Sequence, residues 1–220
     1  MRVAIFDFDG TIYRKETFTL LMDHLKNHPT YGSRYRRFYL SVLAPYIGYK
    51  IRVYPERKMK LQMMQRYLRT FTGLSEIEFA HYYTEVAKKM EQDLNMEVIA
   101  RMDGHAKNGT YNMIVSGAFT PLLQAVAKEF PVDHIIGTDI PLQNGVLDID
   151  QQIDHVHAER KTELINDALK GKLVDWENSF AYGDSFSDLS VLNLVGNPVA
   201  VCPDDTLRIV ANDNMWEIIE

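Results

Sequence analysis

The stretch Val3-Ala4-Ile5-Phe6-Asp7-Phe8-Asp9-Gly10-Thr11 decides the fold of this chain of 220 residues. Its first four residues form a continuous apolar run, which predicts a strand buried on both faces, as in a parallel sheet. Asp7 and Asp9 follow the run two residues apart, so both carboxylates point to the same side of an extended chain. Gly10 then permits a turn that can bend the chain around a ligand. We therefore expect a pair of acids at the end of a buried strand.

Three further apolar runs repeat this pattern. Residues 111–115 are followed by Ser116-Gly117, residues 179–182 by Gly183-Asp184, and residues 198–201 form the last run. Segments with helical periodicity lie between the runs, at residues 120–130, 158–169, 187–195 and 204–212. This alternation predicts a Rossmann-like α/β fold with a mainly parallel sheet flanked by helices. Ligands bind such sheets at the carboxyl ends of the strands, where these polar residues fall.

One region in this half of the chain does not fit the alternation. Residues 133–140 and 145–149 are extended pieces around Asn144-Gly145, a dipeptide that is typical of tight turns between antiparallel strands. The pattern predicts a hairpin at the edge of the sheet.

The first half of the chain also departs from the alternation of strands and helices. Residues 14–95 hold no clear strand, but they contain long helix-like stretches at residues 17–26, 33–43, 56–71 and 75–92. We interpret residues 14–95 as a helical domain inserted after the first strand. Residues 1–13 and 96–220 would then form the α/β core domain.

Cysteine content and hydrophobicity narrow the class of protein. Cys202 is the only cysteine, which excludes an intrachain disulfide and a cysteine-based metal site. The apolar run before Asp7 is too short for a signal peptide, and no apolar stretch reaches the roughly 20 residues of a membrane-spanning helix. We expect a cytoplasmic protein.

A second pair of acids follows another predicted strand. Asp184 and Asp188 lie at the start of a predicted helix, in Gly183-Asp184-Ser185-Phe186-Ser187-Asp188. Together with Asp7 and Asp9 they bring four carboxylates to two strand ends. Four neighbouring carboxylates repel one another unless a cation is present. Carboxylate oxygens with retained waters suit Mg²⁺. The sequence therefore predicts a Mg²⁺ site.

Other residues at the strand ends suit a bound phosphate. Lys161 supplies a positive charge, and Ser116 supplies a hydroxyl. The backbone N–H groups at Gly10, Thr11 and Gly117 would cradle phosphate oxygens. With the phosphate neutralised, Asp7 can attack phosphorus to form an aspartyl-phosphate. Asp9 would donate a proton to the leaving oxygen and later accept one from the hydrolytic water.

In these residues the chain closely resembles the haloacid dehalogenase (HAD) superfamily of aspartate-nucleophile hydrolases. The four motifs of that superfamily occur in order, as Asp7-Phe8-Asp9-Gly10-Thr11, Val115-Ser116-Gly117, Lys161, and Gly183-Asp184 through Asp188. The resemblance implies Asp7 as nucleophile, Asp9 as acid and base, and Lys161 as a phosphate ligand. It further implies that Asp7, the Asp9 carbonyl and Asp184 hold Mg²⁺ and that Asp188 supports Lys161 or a metal-bound water.

The resemblance also implies a phosphatase. Asp9 is typical of phosphatases in this superfamily, because the dehalogenating members lack this second acid and need no metal. The helical insertion is similar to the cap of the phosphoserine-phosphatase-like branch. Glu16 stands nine residues after Asp7, where that branch has the glutamate that reads the substrate amine, but Ser187 stands where an asparagine is usual. We therefore expect a phosphatase for a small phosphorylated substrate, with Glu16, Arg52 and Arg57 as candidates for specificity.

Two alternatives remain open at this point. One is a phosphotransferase or phosphomutase of the same superfamily, which passes the phosphoryl group to an acceptor other than water. The other is a non-catalytic sensor of a phosphorylated ligand or a membrane surface.

Charge is distributed unevenly between the proposed domains. The chain has 24 Lys+Arg and 30 Asp+Glu, a formal charge of -6, so we expect no nucleic-acid partner. Residues 14–95, however, carry 15 basic and 8 acidic side chains, a net of +7, which leaves -13 for the rest. Basic residues and tyrosines are interleaved over residues 34–69. This pattern fits the polar face of amphipathic helices or a cap that steers an anionic substrate, and less well a surface that contacts anionic lipid.

His24 and His28 are one helical turn apart, as two metal ligands on a helix would be. No third ligand is visible in the sequence, so we expect a surface pair. His155 and His157 flank Val156 in a predicted loop, where solvent exposure is expected.

Overall fold

The computed structural model describes residues 1–148 and 150–220, and its main feature is a six-stranded parallel sheet. The strands in chain order are β1 (Val3–Phe6), β2 (Tyr111–Phe119), β3 (His134–Thr138), β4 (Leu142–Gln143), β5 (Val146–Leu147), β6 (Phe180–Gly183), β7 (Asn197–Val201) and β8 (Glu217–Ile219). The main sheet has the order β3-β2-β1-β6-β7-β8, while β4 and β5 form a separate pair. The expected Rossmann-like α/β fold is thus confirmed.

Strand β1 lies between β2 and β6, and its last residue aligns with the middle of β2 and with the end of β6. Phe6 pairs with Ile114 on one side and with Tyr182 on the other, both in parallel. The residue after β1, Asp7, extends this ladder because its N–H donates to the Tyr182 carbonyl at 2.9 Å. Asp7 after β1, Asp184 after β6 and Ser116 within the second half of β2 therefore lie at one edge of the sheet.

The helices in chain order are α1 (Thr17–Asn27), α2 (Gly32–Lys50), α3 (Glu56–Arg69), α4 (Glu76–Met90), α5 (Met96–Lys107), α6 (Thr120–Val126), α7 (Ala158–Ala168), α8 (Leu189–Leu192) and α9 (Asp205–Asp213). The first four follow β1 directly, as the interpretation of a helical insertion requires. Helix α2 continues past the predicted end at residue 43 and contains Pro45. Helix α5 and strand β8 were not predicted. None of the helices in the described ranges is long and apolar enough to cross a membrane.

The predicted hairpin at the sheet edge is wrong in its placement. The first of the two predicted pieces contains β3, which pairs in parallel with β2 at the edge of the main sheet. The Asn144-Gly145 turn instead joins β4 to β5, and both turn residues have positive φ angles, of 54° and 75°. Asparagine and glycine adopt such angles most easily, which explains the turn. This small hairpin contacts the start of α4, where the Glu76 N–H donates to the Gly145 carbonyl at 2.9 Å. Ile149, at the end of the second predicted piece, lies outside the described residues.

The two faces of the sheet pack into different hydrophobic clusters. Side chains alternate along β1, so Ala4 and Phe6 pack into one cluster while Val3 and Ile5 pack into the other. The first cluster continues into the helical insertion, where the Tyr67 and Phe119 rings stack with centroids 6.2 Å apart. Tyr67 of α3 therefore packs against the end of β2.

Candidate active site

Asp7, Lys161 and Asp188 form a buried cluster at the carboxyl ends of β1 and β6. Lys161 lies in the first turn of α7, and its Nζ donates to Asp7 Oδ1 at 2.5 Å and to Asp188 Oδ1 at 2.7 Å. Lys161 and Asp188 are 7% and 3% exposed, so little water reaches either group. A buried ammonium group is tolerated here because two carboxylates accept hydrogen bonds from it.

The charges in this cluster depend on one another. Burial raises the pKa of Asp7, Lys161 opposes that shift, and Asp188 and Asp184 add to it. Burial alone would lower the pKa of Lys161, but the two carboxylates outweigh burial and the net shift is upward. Lys161 therefore stays protonated at neutral pH and holds Asp7 in place.

Asp184 adds a third carboxylate. Oxygens of Asp7, Asp184 and Asp188 lie within 4.8 Å of one another. Burial and the charge of Asp188 raise the pKa of Asp184 to about 7, which reflects the excess negative charge at this point. A divalent cation would relieve that excess, and a set of hard oxygen donors is what Mg²⁺ prefers. The residues present thus fit the expected metal.

Gly10 is required by the close approach of the first loop to Asp184. Its φ is +77°, and a Cβ atom there would lie 2.2 Å from Asp184 Oδ2. Any side chain would displace this carboxylate, so glycine brings the β1 and β6 loops together.

Asp9 faces a different partner. Its Oδ1 accepts hydrogen bonds from the Thr17 N–H at 3.1 Å and from the Thr17 hydroxyl. Burial raises the pKa of Asp9, the bonds from Thr17 lower it, and the charge of Glu16 raises it. The net pKa is about 7. A carboxyl group with a pKa near neutrality can both donate and accept a proton, as an acid–base catalyst must. The carboxylate of Asp9 is thus held at the first residue of α1 and lies outside the group formed by Asp7, Asp184 and Asp188.

The groups that are expected to bind phosphate already take part in hydrogen bonds within the protein. Ser116 is buried, and its hydroxyl accepts a hydrogen bond from the Ala118 N–H at 3.1 Å. The N–H groups of Gly10 and Thr11 donate to the Tyr13 and Phe8 carbonyls, at 2.7 and 3.3 Å. In this structure these two groups close their own loop and are not directed at a ligand.

Gly117, in the second half of β2, packs against the segment that leads into α7. A Cβ on Gly117 would lie 2.9 Å from both His155 Nε2 and the Val156 carbonyl. His155 is half-buried rather than solvent-exposed as expected, and burial lowers its pKa to about 4. Nearby positive charges contribute to this downward shift of the pKa, and they belong to His157, Lys60, Arg57 and Lys161. This side of the site is therefore strongly positive.

The structure separates the three specificity candidates. Glu16 is exposed at the start of α1, and its charge raises the pKa of both Asp9 and Asp184. Arg57 lies on α3, and its positive charge lowers the pKa of His155. Arg52 lies in the exposed turn after α2, where its N–H donates to the Tyr49 carbonyl, and none of its described contacts reaches the site.

Sequence reasoning missed Thr17 and misplaced His24. No motif marks Thr17, since its contact with Asp9 arises only when α1 folds back on the first loop. His24 is 4% exposed, not on the surface, and its Nε2 lies 3.4 Å from Glu85 Oε2. Glu85 also lies 3.2 Å from His28 Nε2 and is the third group that the sequence did not show. Two backbone N–H groups donate to His28 Nδ1, which puts the ring proton on Nε2, facing Glu85, rather than leaving that nitrogen for a metal.

A cavity of about 590 Å³ lies elsewhere in the part of the chain that the structure describes. It runs along β3 and is lined by residues 134–137, residues 151–154 and part of α7. None of the carboxylates described above lines it. The candidate site is therefore identified by the chemistry of its side chains and not by the size of a cavity.

Comparison with known proteins places the chain in a family. Residues 4–193 match the haloacid dehalogenase-like hydrolases, and the chain belongs to that family. Among its curated relatives is a phosphoserine phosphatase of Archaeoglobus fulgidus, 21% identical over 97% of this chain and 56% of that protein. Another is the phosphoserine phosphatase SerB1 of Mycobacterium tuberculosis, 25% identical over 52% of this chain and 37% of that protein. The chain thus spans about half the length, or less, of these relatives.

Solved structures share the fold. A protein of unknown function from Bordetella pertussis Tohama I has a TM-score of 0.82 and 22% identity, covering 100% of this chain and 98% of its own. A substrate-bound phosphoserine phosphatase has a TM-score of 0.66 and 17% identity, covering 100% of this chain and 92% of its own. At these identities the likeness establishes the fold and not the substrate.

Proposed function

We propose that this chain hydrolyses a small phosphomonoester through an aspartyl-phosphate formed on Asp7. The observation that carries this proposal is the buried Lys161, held between Asp7 at 2.5 Å and Asp188 at 2.7 Å. A structural ion pair needs one acid, whereas here a buried lysine fixes one carboxylate oxygen of Asp7 and is itself fixed by a second acid. Family membership and the phosphatases among the relatives support the same conclusion.

The residues of the chain would act in sequence. Lys161 offsets the negative charge of the phosphate, so that the Asp7 carboxylate can approach phosphorus and displace the leaving alcohol. Asp9, partly protonated at neutral pH and anchored by Thr17, donates a proton to the departing oxygen. The same carboxylate then removes a proton from the water that hydrolyses the aspartyl-phosphate, which releases inorganic phosphate and restores Asp7.

A bound Mg²⁺ would be held by Asp7, Asp184 and the Asp9 carbonyl, and it would supply charge neutralisation at the phosphate. Asp188 remains with Lys161 in this assignment, since its Oδ1 accepts from the ammonium group. Ser116 and Gly117 would complete the phosphate site from β2.

We further propose that Glu16 and Arg57 read the substrate, because both act electrostatically on site residues whereas Arg52 does not. Glu16 would pair with a positively charged group of the substrate, and Arg57 with a negatively charged one. A panel of soluble phosphomonoesters, with and without an amine, tests this. Glu16→Gln should raise KM for the amine-bearing members alone, and an equal change for all members would contradict the assignment.

The mechanism is tested by Asp7→Asn in an assay of phosphate release from an aryl phosphate, with and without Mg²⁺. We expect no measurable turnover by this variant, while Asp213→Asn, a matched change on an exposed acid of α9, retains the wild-type rate. Full activity in Asp7→Asn would overturn the mechanism. Added alcohol acceptors distinguish a hydrolase from a phosphotransferase, because a hydrolase releases only free phosphate.

A further inference from the structure

Helix α2 has apolar residues on two opposite faces. Phe38, Val42 and Pro45 are buried against the rest of the protein. On the solvent side, Leu40 is 63% exposed and Ile47 is 49% exposed. Ile51, the residue directly after the helix, is 63% exposed. Their spacing of seven and four residues places them in one stripe along the helix. An exposed apolar stripe of this kind has no role in folding.

Positive charge surrounds the stripe. Arg36 and Arg37 are exposed one turn before Leu40, and neither has an ion-pair partner among the described residues. Lys50 lies at the other end of the helix over the rings of Tyr46 and Tyr49, at 5.5 and 5.8 Å. Residues 24–55 contain six lysines and arginines and no aspartate or glutamate.

Tyrosines flank the stripe as well. Tyr39 and Tyr46 are 49% and 41% exposed. Their rings carry an apolar body and a polar hydroxyl, a combination that suits the boundary between water and lipid. We name the whole set the α2 surface, consisting of Arg36, Arg37, Tyr39, Leu40, Tyr46, Ile47, Lys50 and Ile51.

We propose that the α2 surface docks on an anionic lipid bilayer, with helix α2 lying parallel to the membrane plane. The apolar stripe would enter the boundary between headgroups and acyl chains, and the flanking cations would bind anionic headgroups. This inference stands independently of the proposed catalytic function.

Charge complementarity favours lipid over the other possible occupants. In a symmetric contact with a second copy, the same surface meets itself, so Arg36, Arg37 and Lys50 would face like charges. Nucleic acid would bind the cations but leave Leu40, Ile47 and Ile51 without an apolar partner. An anionic bilayer satisfies both the charges and the apolar stripe.

The test is co-sedimentation of the protein with large unilamellar vesicles, either of phosphatidylcholine alone or of an equal mixture with phosphatidylglycerol. We expect binding to the mixed vesicles only, weakened by salt. Arg36→Gln/Arg37→Gln should lower the partition coefficient roughly 30-fold. Leu40→Ser/Ile47→Ser should lower it at least about tenfold, because two apolar side chains no longer enter the lipid.

A matched control is Leu173→Ser/Met215→Ser, which changes two apolar residues that are 93% and 91% exposed outside α2. This variant should bind vesicles as the wild type does, and thermal unfolding should show that all variants are folded. Absence of binding to the mixed vesicles overturns the proposal, as does binding that the α2 variants leave unchanged. A dimer that only Leu40→Ser/Ile47→Ser dissociates, in a chain that ignores vesicles, would identify a second copy as the occupant.

Discussion

Two buried ionisable clusters in this protein show opposite behaviour. The core cluster, Asp7, Lys161 and Asp188, lies at the strand ends and contains charges of both signs in direct contact. The cap cluster, His24, His28 and Glu85, lies between α1 and α4. Burial lowers the pKa of His24 to about 4, so this histidine is neutral, whereas the pKa of Lys161 is raised by its two acids.

The difference supports the proposal that the core cluster performs the chemistry. In the cap cluster, a neutral His24 lies beside the partly exposed Glu85. No buried charge is left there that would require a further partner. A buried lysine lies between two acids, and oxygens of a third acid lie within 4.8 Å of theirs, so a bound cation would offset the excess of carboxylates. We therefore propose that the core cluster binds a ligand, whereas the cap cluster joins two helices.

The largest expected effect comes from removing the cation of the core cluster. Lys161→Met leaves Asp7 and Asp188 buried next to each other without a positive charge. We expect a loss of about 3 to 5 kcal/mol in the free energy of unfolding at neutral pH, measured with urea, and no measurable phosphatase activity.

The double variant Lys161→Met/Asp188→Asn separates stability from catalysis. It removes one of the two opposing carboxylates, so most of the lost stability should return while activity stays absent. Recovery of activity in the double variant would show that Lys161 has no part in the reaction.

A smaller effect is expected where the two loops of the core site meet. Gly10→Ala places a methyl group 2.2 Å from Asp184 Oδ2 and also strains a backbone at φ +77°. The matched control is Gly171→Ala, at φ +80° with open space around it, where strain alone should cost about 1 to 2 kcal/mol. Gly10→Ala should lower stability more than the control and weaken Mg²⁺ binding, as measured by calorimetry. Equal effects of the two variants would mean that Asp184 adapts freely.

The sequence predicts that the residues of the core cluster lie together but does not predict the contacts of the cap cluster, for one physical reason. Asp7, Asp184 and Lys161 each follow a strand end or begin a helix, so local pattern and sheet geometry together bring them to one edge. The contact of His24 with Glu85 depends instead on how α1 packs against α4, and no local pattern encodes that packing. Thr17 was missed for the same reason. Strand β8 is short and contains the exposed Glu217, so hydrophobicity does not mark it.

The Thr17 contact predicts a change in the pH dependence of catalysis. Burial raises the pKa of Asp9 and hydrogen bonds from Thr17 lower it, with a net value of about 7. Thr17→Val removes the hydroxyl bond, so this pKa should rise and the alkaline limb of kcat/KM should move to higher pH. We expect about tenfold lower kcat as well, because the acid is less well positioned. Thr19→Val, on the exposed side of α1, should leave the profile unchanged. A fall in rate without movement of the limb would indicate a structural role only.

At neutral pH the smallest effect is expected at the cap cluster, and its growth in acid tests whether His24 is neutral. The pKa of His24 is about 4 in the folded protein and 6.5 as its ordinary value, so the unfolded chain binds a proton that the folded chain does not. Between these two values, falling pH therefore favours unfolding, by up to about 1.4 kcal/mol per pH unit. His24→Gln removes this contribution, so the free energy of unfolding should fall less steeply from pH 6.5 to pH 4. His81→Gln changes an exposed histidine 3.2 Å from the same glutamate and should keep the wild-type slope. If His24→Gln also keeps it, His24 is charged when buried and the contrast with the core cluster fails.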